Sequence, residues 1–136
     1  MKKIPATKDS LVLRTDFSDD SAWLAICAAI QAPVGEFQAY VQCVSDPDYA
    51  NLEDAALVEA LSGNRSFAFV VDHIALSHPE HPILVVDLSR EVGRMFRVIP
   101  SHAWSVENNL SLANMDFGEF ADAVDQSGIF RGFPDE

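Results

Sequence analysis

Two dense apolar runs, at residues 66–71 and 83–88, constrain the fold of this chain more than any other feature. A strand with one solvated face alternates apolar and polar residues, whereas both of these runs are almost entirely apolar. Such runs are typical of central strands that are buried on both faces. They therefore predict the core of a β-sheet, and whether helices cover one face of that sheet or both stays open at this point.

Three helices are expected around the sheet. Apolar residues from Trp23 to Ile30 recur at i, i+3, i+4 and i+7, which predicts a helix with one buried face. A second helix is predicted over residues 52–61, before a glycine that would end it. Asp116 and Glu119 have the spacing of a capping box, so a last helix is expected to begin there.

The remaining pattern predicts strands and turns. The β-prone run at 11–15 and the alternating residues at 37–44 each predict a strand. Residues 83–99 are expected to form a hairpin, with a turn in the middle. Residues 101–109 are assigned to a short helical turn and 110–115 to an extended segment. This order predicts an α+β or α/β fold: one mixed β-sheet of about five to six strands with about three helices packed on it.

Length and composition fit one ordinary globular domain. The chain has 136 residues, of which 49% are hydrophobic and 22% charged. A chain of this size buries enough surface to fold without a metal or disulfide. We expect a flexible N-terminal lead-in at residues 1–9 and a single globular domain at residues 10–136.

The charge balance bears on possible partners. The formal net charge is −12, which repels phosphate backbones and argues against nucleic-acid binding. An acidic surface suits basic protein partners and divalent cations, or needs no special partner at all. No signal-peptide run follows the basic N-terminus, and no stretch approaches the roughly 20 apolar residues that span a bilayer. A cytoplasmic location without membrane contact is therefore expected.

The two cysteines, Cys27 and Cys43, lie within apolar stretches and lack the spacing of a metal or redox motif. They are interpreted as small buried hydrophobic residues of a reducing compartment. A disulfide between them stays open.

Three predicted strands end in an aspartate: Asp16, Asp72 and Asp87. At the carboxyl ends of parallel strands such side chains meet, and two or three carboxylates there could hold Mg²⁺. If residues 83–99 form a hairpin, however, some strands are antiparallel and the aspartates point to opposite edges. Aspartate after a strand is also a common turn or helix-capping residue.

The segment at residues 73–81 contains three of the four histidines. Histidine is a common metal ligand and proton shuttle, so His78 is a candidate acid or base, and Asp72, His78 and His81 are candidate metal ligands. The spacing does not match a helical HExxH zinc motif, and an exposed proline-rich loop explains the histidines equally well.

The most unusual composition follows Trp104, where asparagines and acidic residues interleave with apolar ones. Asparagine side chains bond readily to the backbone, so they could pin an irregular crossover. The alternative is a polar recognition surface beside an aromatic residue of the type enriched at interfaces. This predicted binding surface consists of Trp104, Glu107, Asn108, Asn109 and Asn114.

Four blocks of sequence, at residues 11–17, 78–82, 96–100 and 107–117, carry a resemblance to a known family. The chain resembles a bacterial family of small proteins known only as a domain of unknown function, over roughly residues 10–133. The resemblance implies no activity, substrate, cofactor or catalytic residue.

No P-loop, dinucleotide fingerprint, nucleophile elbow or kinase signature occurs. The leading hypothesis is therefore a non-enzymatic cytoplasmic module that binds another protein, with no cofactor. The alternative is a metal-assisted hydrolase that uses Asp16, Asp72 and Asp87 with a histidine of the 73–81 segment. A third possibility, a sensor of small ligands, requires a sizeable apolar pocket.

Overall fold

The computed structural model describes residues 3–134, and these form one six-stranded mixed sheet with helices packed on both of its faces. In chain order the strands are β1 (Ser10–Arg14), β2 (Val41–Val44), β3 (Phe67–Val71), β4 (Ile83–Asp87), β5 (Met95–Val98) and β6 (Ile129–Phe130). The α-helices of this range are α1 (Asp20–Gln31), α2 (Asp54–Leu61), α3 (His73–Ser77), α4 (Ala103–Ser111) and α5 (Phe117–Ala121), and two short 3₁₀ helices lie at Pro47–Tyr49 and Pro100–His102. The predicted fold of one mixed sheet with packed helices is confirmed, in the α+β class.

The strand order is β2-β1-β3-β4-β5-β6. Strand β1 is parallel to both of its neighbours, β2 and β3, whereas β4 is antiparallel to β3 and β5. The two crossovers β1-α1-β2 and β2-α2-β3 move across the sheet in opposite directions. Because such crossovers are right-handed, α1 and α2 must lie on opposite faces of the sheet.

The two buried clusters show this division. On the face of α1, Ile26 and Ile30 pack with Val12 and Phe69, and residues of α3, α4 and α5 belong to the same cluster. On the opposite face, which we call the α2 face, helix α2 packs on the neighbouring side chains of β1 and β3. The predicted burial of the central strands is confirmed for every residue of β3 and for all of β4 except the half-buried Leu84.

Helix positions follow from local chemistry. Asp19 caps α1, since its side chain accepts a hydrogen bond from the backbone of Ala22. The predicted capping box of Asp116 and Glu119 is present and begins α5. Residues 83–99 form the predicted hairpin, with β4 and β5 antiparallel.

Several local predictions were wrong. The segment that was predicted as a loop contains helix α3. The helix forms despite its short length because the side chain of Asp72 caps its first turn. Residues 110–115 continue and close α4 instead of extending, since the carbonyl of Asn109 accepts hydrogen bonds from Asn114 and Met115. Strand β2 begins only at Val41, and the two-residue β6 was missed because so short a strand leaves no periodic pattern.

The segment before β1 lies against α2. Residues 3–9 form no helix or strand, yet Ile4 is buried and its backbone N–H donates to the carbonyl of Ala60, at 3.1 Å. The Arg65 guanidinium donates to the carbonyl of Pro5. Among residues 3–134, no helix has both the length and the apolar character that crossing a bilayer requires.

Candidate functional site

A crevice lies at the carboxyl ends of β1 and β3. The chain leaves β1 toward α1 and β2 on one side, and it reaches β3 on the other side through α2. Adjacent parallel strands whose connections diverge in this way leave a crevice beyond their carboxyl ends, the usual place for a ligand in such sheets. Asp16 follows β1 and Asp72 follows β3, so the structure brings these two predicted residues to the same edge.

The crevice opens into a cavity of about 470 Å³ on the α2 face. Apolar side chains from α2, β3, β4 and β5 form its floor: Leu57, Val70, Leu84 and Met95. Charged and titratable residues also line it: Asp16, Glu53, Asp54, Asp72, His73 and Arg97. We call this cavity the acidic cleft, because four carboxylates line it with one guanidinium.

Asp72 is already engaged. Its two carboxylate oxygens accept hydrogen bonds from Arg97 of β5, at 3.0 and 2.7 Å. One of them also caps α3 by accepting from the backbone of Ala75, and Arg97 donates in addition to the carbonyl of Pro82. Asp72 is therefore a neutralised, structural carboxylate that ties β3, α3 and β5 together.

Asp16 is held by its own loop. One carboxylate oxygen accepts hydrogen bonds from the hydroxyl and the backbone N–H of Ser18. The other lies 3.3 Å from Nδ1 of His73, whose ring is largely exposed. The hydrogen bonds from Ser18, with a smaller contribution from His73, hold the pKa of Asp16 below its ordinary value. Asp16 is therefore ionised at neutral pH.

Glu53 and Asp54 differ from these two carboxylates. Both are exposed at the start of α2, and neither forms an ion pair with any residue in the range 3–134. Asp54 has a φ of 51° and Asn51, on the same rim, a φ of 62°. Such values are uncommon for residues other than glycine. The rim of the cleft therefore holds uncompensated negative charge on a constrained backbone.

Asp87 is absent from the cleft. Because β4 is antiparallel to β3, Asp87 pairs with Phe67 at the opposite edge of the sheet. Its buried carboxylate accepts backbone hydrogen bonds from Ser89, Arg90 and Glu91 and so organises the β4–β5 turn. Burial raises the pKa of Asp87, but these hydrogen bonds outweigh it and hold the pKa below its ordinary value. The three aspartates thus do not share one site.

The candidate metal ligands also lie apart. His78 ends α3, where its Nδ1 accepts from the backbone of Glu80, at 3.1 Å. The Nδ1 of His81 lies 2.8 Å from the carbonyl of Ala75. Within residues 3–134 no group of three or more histidine, cysteine or acidic side chains is arranged to hold a metal ion. Asp72, His78 and His81 therefore do not form a metal site together.

The predicted binding surface lies on and beside α4. The ring of Trp104 stacks on Phe37, with 4.2 Å between ring centroids. Asn108 donates to the carbonyl of Gln38, and Asn109 donates to the carbonyl of Ser105 within its own helix. Asn114 is exposed after the helix. Of the three asparagines, Asn108 thus bonds to the irregular segment before β2, whereas Asn109 bonds within α4.

Glu107 has the most constrained environment of this group. Glu107 carries a carboxylate, yet only 4% of the residue's surface is exposed. One oxygen accepts from the backbone N–H of Tyr40 and from Asn108, and the other from the hydroxyls of Ser10 and Ser111. Glu107 therefore joins α4 to the start of β1 and to the segment before β2. Its position four residues after the buried Ala103 is the sequence signal for this buried location.

Family comparison adds the classification but no activity. The profile of a family described as a domain of unknown function, DUF6924, matches residues 9–133. The chain belongs to this family. The match confirms the predicted resemblance to a domain of unknown function over most of the chain. No curated protein matches the chain.

Sequence reasoning missed several residues of the cleft: Thr15, Asn51, Glu53, Asp54 and Arg97. Arg97 could have been recognised from the sequence, because a charged residue inside the predicted strand 95–99 requires either a partner of opposite charge or a solvent-exposed face. The others come from loops and from the first turn of α2, which approach β1 and β3 only in the folded chain.

We predict that Glu107→Ala lowers the free energy of unfolding by about 2 kcal/mol, because it removes the acceptor of several partly buried hydrogen bonds. Glu107→Gln should cost about 1 kcal/mol or less, since serine hydroxyls can rotate and accept from the new amide. Urea unfolding measures both, with the exposed Glu36→Ala as control. Equal losses for the alanine and glutamine variants would contradict this account of the hydroxyls.

We also predict that Asp87→Asn costs about 2 kcal/mol at pH 7, since the ionised carboxylate accepts the turn's hydrogen bonds. The pKa of Asp87 is lowered by folding, so its stabilising effect is complete above the ordinary aspartate pKa of about 4 and is lost as pH falls. The difference between wild type and variant should therefore shrink between about pH 5 and pH 2 in urea unfolding. A difference that is independent of pH would exclude this role.

Proposed function

We propose that the protein is a non-enzymatic binding module that takes a cationic group, the side chain of a lysine or arginine of a protein partner, into the acidic cleft. The observation that carries this proposal is the uncompensated pair of carboxylates, Glu53 and Asp54, at the mouth of a cavity with an apolar floor. A cationic side chain would supply the missing countercharge.

The shape and lining of the cleft support a ligand of this kind. A volume of about 470 Å³ lies within the range of ordinary ligand pockets. Lysine and arginine have an apolar stem and a charged head, so the stem suits Leu57 and Met95 while the head suits the carboxylates. A purely polar cation would leave the apolar floor unused.

The state of the other two carboxylates supports binding over catalysis. Asp72 is neutralised by Arg97, and Asp16 is held by Ser18 and His73. A general base must reach its substrate with a free lone pair and a pKa near the working pH, whereas the pKa of Asp16 is lowered. Asp16 and Asp72 therefore have a structural role in the walls of the cleft.

The overall charge supports a basic partner. With a net charge of −12, the chain attracts positively charged proteins over several ångströms and repels acidic ones. Specificity would then come from the cleft, where charge and apolar contact coincide.

We predict that a fluorescent peptide with three lysines spaced by glycine and serine binds the protein, whereas the matched glutamine peptide does not. The double variant Glu53→Gln/Asp54→Asn should weaken binding about tenfold, which corresponds to about 1.4 kcal/mol. Asparagine also tolerates the positive φ at position 54. Fluorescence anisotropy at low and high salt measures the affinity, which should fall as salt screens the charges.

The control variant Asp9→Asn/Glu36→Gln removes the same number of charges from exposed sites outside the cleft. It should leave the affinity within about twofold of wild type. An equal loss of affinity in both double variants would show that only the overall charge matters and would refute a role for the cleft.

A further inference from the structure

An apolar groove continues from the acidic cleft along α2. It lies between this helix and the β4–β5 turn, encloses about 520 Å³ and shares Asp54 and Met95 with the cleft. Its apolar lining is Ala55, Val58, Val92 and Met95, and Glu59 adds a further carboxylate. We call it the α2–β5 groove.

The groove exists because the helices are unevenly distributed. Within residues 3–134, four α-helices contribute to the buried cluster on the α1 face, whereas α2 is the one α-helix in the cluster on the other face, where Tyr49 of a short 3₁₀ helix joins it. The half of the α2 face formed by β4 and β5 therefore lacks a covering helix. Leu84 and Met95 are left half-buried there, and Val92 is 57% exposed. A sheet face is normally covered by another layer.

We infer that the α2–β5 groove, together with the acidic cleft, binds a basic amphipathic helix of a partner protein. This inference rests on the proposed function and deepens it by naming the structure of the partner. The apolar stripe of the helix packs on Val58, Val92 and Met95. Its basic residues pair with Glu59 along the groove and with Asp54 and Glu53 at the cleft.

The dimensions fit a short helix. Helix α2, which lines one side of the groove, has eight residues and spans about 12 Å at a rise of about 1.5 Å per residue. A partner helix of about eight residues covers the same length. Such a helix presents apolar residues at i, i+3 or i+4, and i+7 to a groove, as in known helix-in-groove complexes.

Charge selects this occupant over a second copy of the chain. Each copy carries a net charge of −12, so two copies repel each other. The rims of the groove and cleft carry Glu53, Asp54 and Glu59, and an acidic partner would bring more negative charge to them. A basic helix instead neutralises these carboxylates while it covers the apolar floor.

The test uses two fluorescent 14-residue helical peptides with identical lysines and an alanine-rich background. One has leucines at positions 2, 5, 6 and 9, and the other has alanine at these positions. We expect the leucine peptide to bind the wild-type protein at least tenfold more tightly than the alanine peptide. The groove variant Val58→Thr/Val92→Ser should abolish this difference and leave binding of the spaced lysine peptide unchanged.

The matched control Leu24→Ser/Leu112→Ser changes exposed apolar residues that do not line the groove. It should preserve the preference for leucine. Circular dichroism checks that each variant is folded, and Val92→Ser alone, at an exposed position, replaces the double variant if Val58→Thr unfolds.

The outcomes separate the two proposals. If both helical peptides bind equally and Glu53→Gln/Asp54→Asn weakens both, the cleft function stands and the helix inference is overturned. If neither the spaced lysine peptide nor the helical peptides bind the wild-type protein, both proposals fail. A leucine preference that survives the groove variant also overturns the helix inference.

Discussion

The handedness of two crossovers determines where this protein can bind a ligand. From β1 the chain passes through α1 to β2 on one side, and it returns through α2 to β3 on the other. Since both crossovers are right-handed, α1 and α2 lie on opposite faces, and their loops diverge above β1 and β3. The acidic cleft lies where these loops diverge. Its position therefore follows from the order and direction of the strands and does not depend on particular side chains.

The carboxylates of this protein differ in their hydrogen-bond and ion-pair partners. Glu107 and Asp87 are buried and accept several neutral hydrogen bonds, so each fixes a junction of the fold. Asp72 is neutralised by a bidentate arginine. Glu53 and Asp54 form no ion pair within the described range of 3–134, and they are exposed beside apolar surface. This contrast distinguishes carboxylates that stabilise the fold from those available to a partner.

The sequence allowed the α1 stripe, the capping box at Asp116 and the 83–99 hairpin to be predicted, because each depends on short-range spacing. Helix α3 was missed because its stability comes from the capping carboxylate of Asp72, not from a long apolar stripe. The convergence of Asp16 with Asp72, but not with Asp87, depends on strand direction. The hairpin had indicated only that some of the strands would be antiparallel. The cleft residues of α2 could not be predicted from the sequence, because a long crossover determines how close they lie to β3.

An NMR titration locates the surface of the protein that binds a cationic ligand. Backbone amide shifts of the ¹⁵N-labelled protein would be followed as the spaced lysine peptide is added. If the acidic cleft is the binding site, the shift changes are concentrated at residues 15–16, 51–57, 72–74 and 95–97, which line or adjoin the cleft. Changes concentrated at residues 37–40 and 103–111, around Trp104 and α4, would contradict a binding site in the cleft and support the surface predicted from sequence instead.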